Sequence, residues 1–122
     1  MQHVGVRGHL LCYGIPAKNI RIELFNSGLI FDEKLSENVT DSNGEFYITG
    51  QGNFYTRVEG KICIYHDCDP LVLCHRVLSF WVPKRFWSYS SKSKRGFFDI
   101  GTFDLMVHPV GERRDCSKMF GR

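Results

Sequence analysis

The sequence predicts an all-β fold, a two-layer antiparallel sandwich of seven or eight strands. Three observations carry that prediction. Apolar and polar residues alternate in short runs, as half-buried strands require. No stretch keeps an apolar stripe at helical spacing for three turns, so helix should be scarce. Gly, Asn, Asp and Pro, the residues that turns demand, separate the runs. A chain of 122 residues accommodates one core. Residues 1–122 are therefore read as a single domain, and short antiparallel strands with little helix stack best as two sheets with interdigitating inner faces.

Val4 to Tyr13 forms the first strand, with Val4, Val6 and Leu10 inward, and Ile15-Pro16 ends it because proline has no N–H for a central ladder. Asn19 to Phe25 repeats the alternation through Ile20, Ile22 and Leu24. Lys34 to Val39 and Glu45 to Thr49 flank Asp41-Ser42-Asn43-Gly44, whose Asn-Gly pair accepts positive φ, and the segment is read as a hairpin. Gly60 to His66 and Cys74 to Val82 form a second pair around Asp69-Pro70, with Trp81 expected in the core. A basic and aromatic excursion at about 83–97 precedes a long last strand, Phe97 to Val107, interrupted by Gly101.

The composition, 43% hydrophobic and 24% charged, is that of a globular protein. No apolar run approaches the roughly 18 residues that span a bilayer. Met1-Gln2-His3-Val4 lacks the charged and apolar regions of a signal peptide, so the chain is expected to be cytosolic or already processed. Its five cysteines, Cys12, Cys63, Cys68, Cys74 and Cys116, decide for secretion. So many in a small domain read as two bridges and one spare thiol in an oxidising compartment. Asn38-Val39-Thr40 adds an N-glycosylation acceptor at Asn38.

The segment Val6-Arg7-Gly8-His9-Leu10-Leu11-Cys12-Tyr13-Gly14-Ile15-Pro16-Ala17 resembles the opening strand and turn of the nematode transthyretin-like proteins, a Gly-x-Leu-x-Cys-x-Gly-x-Pro-Ala pattern. Further matches lie in Thr40 to Phe46, Ile64 to Cys68, Cys74-His75-Arg76 and Phe98 to Leu105. The resemblance implies a secreted, transthyretin-like β-sandwich that binds other molecules rather than catalysing a reaction. It suggests Cys12, Cys68, Cys74 and Cys116 as the framework cysteines, with Cys63 the extra one. Within that set the expected pairing is Cys68 with Cys74, clamping a hairpin base, and Cys12 with Cys116, tying the tail to the first strand. One member of the family bridges dying cells, through their phosphatidylserine, to an engulfment receptor, and the same role is expected here. The related hydroxyisourate hydrolases end in Tyr-Arg-Gly-Ser, whereas this chain ends Lys118-Met119-Phe120-Gly121-Arg122.

Charge distribution says where such binding would occur. The formal net charge is +3, yet no Asp or Glu stands between Pro70 and Phe98, a stretch holding six of the 16 basic residues. Within it Lys84, Arg85, Phe86, Trp87, Tyr89, Lys92, Lys94 and Arg95 interleave cations with rings. That mixture suits an anionic phospholipid surface, where each cation contributes about 1 kcal/mol and aromatic rings settle at headgroup depth. Arg85 and Arg95 can offer bidentate bonds to phosphate and carboxylate. A solvated hairpin with rings packed on the sandwich is the bland alternative. The same interleaving suits single-stranded nucleic acid, but secretion and the narrow basic footprint argue against it.

Other constellations are weaker. His66, Cys68, Cys74 and His75 have the atoms for zinc but not the paired-knuckle spacing, and no metal or other cofactor is expected. Asp41, Asn43 and Glu45 lack the 12-residue calcium frame. His9, His66, His75 and His108 stand on separate strands, and no nucleophile elbow is present, so no catalytic residues are assigned. Expected partners are therefore phosphatidylserine membranes, a cell-surface receptor and a second copy of the chain, joined through exposed rings or the odd cysteine. The rival reading is a carrier holding a small hydrophobic ligand between sheets or subunits.

Overall fold

The computed structural model describes residues 2–27, 32–52, 59–68, 75–88, 97–107 and 113–115. Nine strands are described: β1 (Gln2–Cys12), β2 (Ile15–Pro16), β3 (Arg21–Ser27), β4 (Asp32–Val39), β5 (Glu45–Gly52), β6 (Gly60–His66), β7 (His75–Val82), β8 (Phe98–Asp104) and β9 (Arg113–Asp115). Seven have at least seven residues, the predicted framework, and β2 and β9 are short additions. One 3-10 turn, Lys84–Phe86, is the only helical element among the described residues.

The strands build two sheets. In the first, β1 lies between β5 and β8, with β2 paired to its C-terminal end. The second runs in the order β4-β3-β6-β7-β9. Every pairing is antiparallel except β1 with β8, where the register shifts between Arg7 and His9, and Gly101 on β8 takes φ 79°. The alternation read from sequence places the core correctly. Val4, Val6 and Leu10 of β1, Ile22 and Leu24 of β3, Phe46 and Ile48 of β5, Ile62 and Ile64 of β6, and Leu78 and Val82 of β7 pack together between the sheets.

A turn forms at Asp41–Gly44, but of the Asn-Gly pair only Gly44 takes positive φ, at 78°, and the turn does not make a hairpin. β4 belongs to the second sheet and β5 to the first, so the turn carries the chain across the sandwich. Two neighbours impose the crossing. Thr40 is buried and keeps the chain on the β3 side, its N–H donating to Ile20 O at 3.0 Å and its hydroxyl to Ala17 O. Gly44 O then accepts from Leu10 N–H at 2.7 Å, on the β1 side. Side chains replace the missing ladder between β4 and β5: Ser36 donates to Thr49 O and Asn38 to Tyr47 O.

The disulfide pairing also differs from the expectation. Cys12 is bonded to Cys68, with Cα atoms 5.7 Å apart, and so neither Cys12–Cys116 nor Cys68–Cys74 forms. β1 and β6 end at the same end of the sandwich, one in each sheet, so the bond staples the sheets together rather than clamping a hairpin. Cys74 and Cys116 lie outside the described residues. Cys63 is free but buried, its Sγ 3.7 Å from Ser79 Oγ, which removes it as a ready dimer contact. Cys68 being oxidised also leaves no thiolate there for zinc.

Candidate functional site

The basic, aromatic segment begins where β7 leaves the second sheet. Phe80 and Val82 point toward the core, so Trp81 between them points out, opposite Lys61 on β6. Trp81 is 58% exposed, not in the core as the sequence reading held. The Lys61 ammonium sits 5.7 Å from the Trp81 ring centroid and 6.0 Å from that of Phe25, and is neutralised by Asp32 at 2.7 Å. Glu59, Trp81, Val82, Pro83 and Lys84 line an open hollow of about 360 Å³.

Pro83, with no N–H to continue the ladder, releases the chain into the 3-10 turn: Phe86 N–H donates to Pro83 O at 3.1 Å and Trp87 N–H to Lys84 O at 3.0 Å. Lys84 and Arg85 are exposed on this turn, and the Arg85 guanidinium lies 4.9 Å from the Phe86 ring centroid. Phe86 is half-buried against Phe98, with ring centroids 5.1 Å apart. Trp87 turns inward and is only 6% exposed, the opposite of its expected membrane-facing role. Beyond it, Ser88 pairs with His3 of β1 through two backbone bonds of 2.6 and 2.9 Å. Tyr89, Lys92, Lys94 and Arg95 lie outside the described residues.

The structure thus brings Lys84 and Arg85 together on one exposed turn, half-buries Phe86 and withdraws Trp87. It adds Trp81, which the sequence reading missed. The signal was present, because Leu78, Phe80 and Val82 set a period of two that puts residue 81 on the other face. Arg76, a sixth cation of the acid-free stretch, is buried and donates to Leu105 O at 2.8 Å and Val107 O at 2.6 Å. It contributes structure, not surface charge. Asn38, the glycosylation acceptor, is exposed on β4, and its side-chain amide donates to Tyr47 O at 2.8 Å.

Among the described residues no group of three or more His, Cys, Asp or Glu side chains could hold a metal ion, and no helix is long and apolar enough to cross a membrane. The Asp104 carboxyl is clearly perturbed. The backbone N–H groups of Met106 and Gly14, with a smaller share from Tyr13, hold Asp104 below the ordinary value of 3.8, against a modest opposing effect of burial. Those bonds fix the turn between β1 and β2, where Tyr13 and Gly14 take φ 54° and 77°.

Comparison with known proteins places this architecture. A 9R-lipoxygenase crystal structure from Cyanothece shares the fold over 88% of this chain and 17% of its own, with a TM-score of 0.51 and 17% identity. Transthyretin-like protein 33 of Caenorhabditis elegans is 38% identical over 94% of this chain and 82% of its own length. Transthyretin-like protein 5 of the same organism is 36% identical over 94% and 84%. Residues 7–83 match the model of the Transthyretin-like family, whose members are typically secreted, non-enzymatic binding proteins. With the sandwich, the stapled β1–β2 opening and these matches in agreement, the chain belongs to the transthyretin-like family.

Proposed function

We propose that this protein is an extracellular adaptor that docks on anionic phospholipid, phosphatidylserine above all, and bridges the membrane of a dying cell to an engulfment receptor. The observation that carries this reading is Trp81, exposed at the end of β7 and lining one hollow with the exposed Lys84, which the exposed Arg85 follows in the chain. An indole at headgroup depth and cations worth about 1 kcal/mol each make a reversible attachment site. Arg85 supplies the fork that suits phosphate or carboxylate. In sequence Tyr89, Lys92, Lys94 and Arg95 follow without an intervening acid, extending the same character. A homodimer would multiply a weak site through effective concentration. A carrier site between the sheets would need space where Leu10, Ile22, Leu24, Ile62 and Ile64 are fully buried against one another; one between subunits would not.

Sedimentation with phosphatidylcholine vesicles, with and without phosphatidylserine, tests the proposal. Binding should require phosphatidylserine and fall when Lys84 and Arg85 are replaced by Glu. Binding that ignores phosphatidylserine content, or survives Glu at 84, 85, 92, 94 and 95, would overturn it.

A further inference from the structure

The outer face of the first sheet carries a groove that neither Lys84 nor Arg85 lines. Antiparallel and parallel registers set Arg7 of β1 between Tyr47 of β5 and Asp99 of β8, and His9 between Glu45 and Thr102. Phe97 completes the wall. Its ring lies directly over Gly5, where a Cβ would collide with it, and meets the Tyr47 ring edge-on with centroids 4.5 Å apart. Together these side chains, with Asp41, border a groove of about 480 Å³, within the range of ligand-binding clefts.

The groove's charges are not all engaged in the same way. Arg7 Nε donates to Asp99 Oδ2 at 3.1 Å, while Asp99 Oδ1 accepts from Gly101 N–H at 2.7 Å. Asp41 Oδ1 accepts from the N–H groups of Asn43 and Glu45, at 2.9 and 3.0 Å, and so serves its own turn. His9 donates through Nε2 to Asn43 O at 2.8 Å and approaches Thr102 Oγ1 at 3.3 Å through Nδ1. Among the described residues the Glu45 carboxylate makes no hydrogen bond or ion pair. It projects from the same face of β5 as the exposed Tyr47 ring, two residues and about 7 Å along the strand.

A carboxylate without a partner among the described residues, set beside an exposed aromatic wall, is well complemented by a planar cation. The geometry points to this groove as the docking site for an arginine side chain of a partner protein, its guanidinium bonded to Glu45 and stacked on Tyr47. Arginine fits better than lysine because its planar fork pairs with a carboxylate through two bonds while its face covers a ring. The excess of carboxylates over the single Arg7 charge favours a basic segment over an acidic one. Neither Lys84 nor Arg85 lines the groove, so arginine binding there and vesicle binding can be tested separately.

Calorimetry and amide-shift mapping of the intact chain with an N-acetylated, C-amidated Gly-Arg-Gly peptide test the inference. The peptide should bind and shift the signals of β1, β5 and β8, and its counterpart with citrulline, which keeps the shape and loses the charge, should bind about tenfold more weakly. Glu45→Gln and Tyr47→Leu, both at exposed positions, should each cost a similar factor, while Lys84→Glu should leave the affinity unchanged. Equal binding of the citrulline peptide, full affinity in both groove variants, shifts confined to other strands, or no binding at millimolar peptide would each overturn it. Loss of vesicle binding with the peptide data intact would sink only the membrane reading.

Discussion

Trp87 rests on Gly60: a Cβ at that glycine would stand 3.0 Å from the indole Cζ2 and 3.1 Å from Nε1. The absence of a side chain at the start of β6 is what lets the segment after β7 tuck its ring under the sheet end. Gly60→Ala should therefore destabilise the fold by about 1–3 kcal/mol through overpacking. Urea denaturation followed by tryptophan fluorescence would measure it.

The two tryptophans should respond oppositely to truncation. Trp87→Ala removes a buried ring and should cost about 3–5 kcal/mol. Trp81→Ala removes an exposed one and should change stability by no more than about 0.5 kcal/mol, while weakening attachment to phosphatidylserine vesicles. Parallel melting and sedimentation of the two variants check the split.

The bond between Cys12 and Cys68 closes 56 residues of sequence separation. A loop of that size corresponds to about 4 kcal/mol on the chain-entropy account. Replacing both residues by Ser should lower stability by that order. Peptide mapping without reduction should recover a Cys12–Cys68 crosslinked fragment, and recovery of Cys12 joined to Cys116 would contradict the staple described above.

Acid sensitivity should trace in part to Asp104. Its carboxyl is depressed below 3.8 by backbone donors at Met106, Gly14 and Tyr13, so its contribution is complete above the unfolded value and fades as pH falls through the folded one. Asp104→Asn should lose about 1–2 kcal/mol at neutral pH, and the gap from the parent should close in strongly acidic solution. Urea midpoints across that range would show convergence. A constant gap would locate the effect elsewhere.

Much of the sandwich was legible because burial imposes a period of two wherever one face meets the core. Val4, Val6 and Leu10, or Ile22 and Leu24, declare their face without reference to distant residues. The crossing after Thr40 was not legible. An Asn-Gly turn fixes its own φ angles, yet whether the next strand pairs locally or joins the opposite sheet is decided by Ile20, Ala17 and Leu10, which hold the two sides apart. Cysteine pairing was hidden for the same reason, since it follows strand ends meeting in space rather than spacing along the chain. At the candidate site, the exposure of Lys84 and Arg85 was legible from charge alone. The exchange of Trp81 and Trp87 was missed because aromatic content says nothing about which side of a strand a ring occupies.

The parallel partnership of β1 with β8 also orders events during synthesis. β1 is made before both of its long neighbours and can meet β5 once Glu45–Gly52 has been translated, but its other flank waits for Phe98 to Asp104. Pairing strands so far apart in sequence incurs a large loop-closure cost before any contact compensates, which predicts slow folding for a domain of this size. Until then the nascent first sheet exposes an unpaired border, and the Cys12–Cys68 bond, whose two residues are both made before β8, would hold the half-built sandwich together once oxidised.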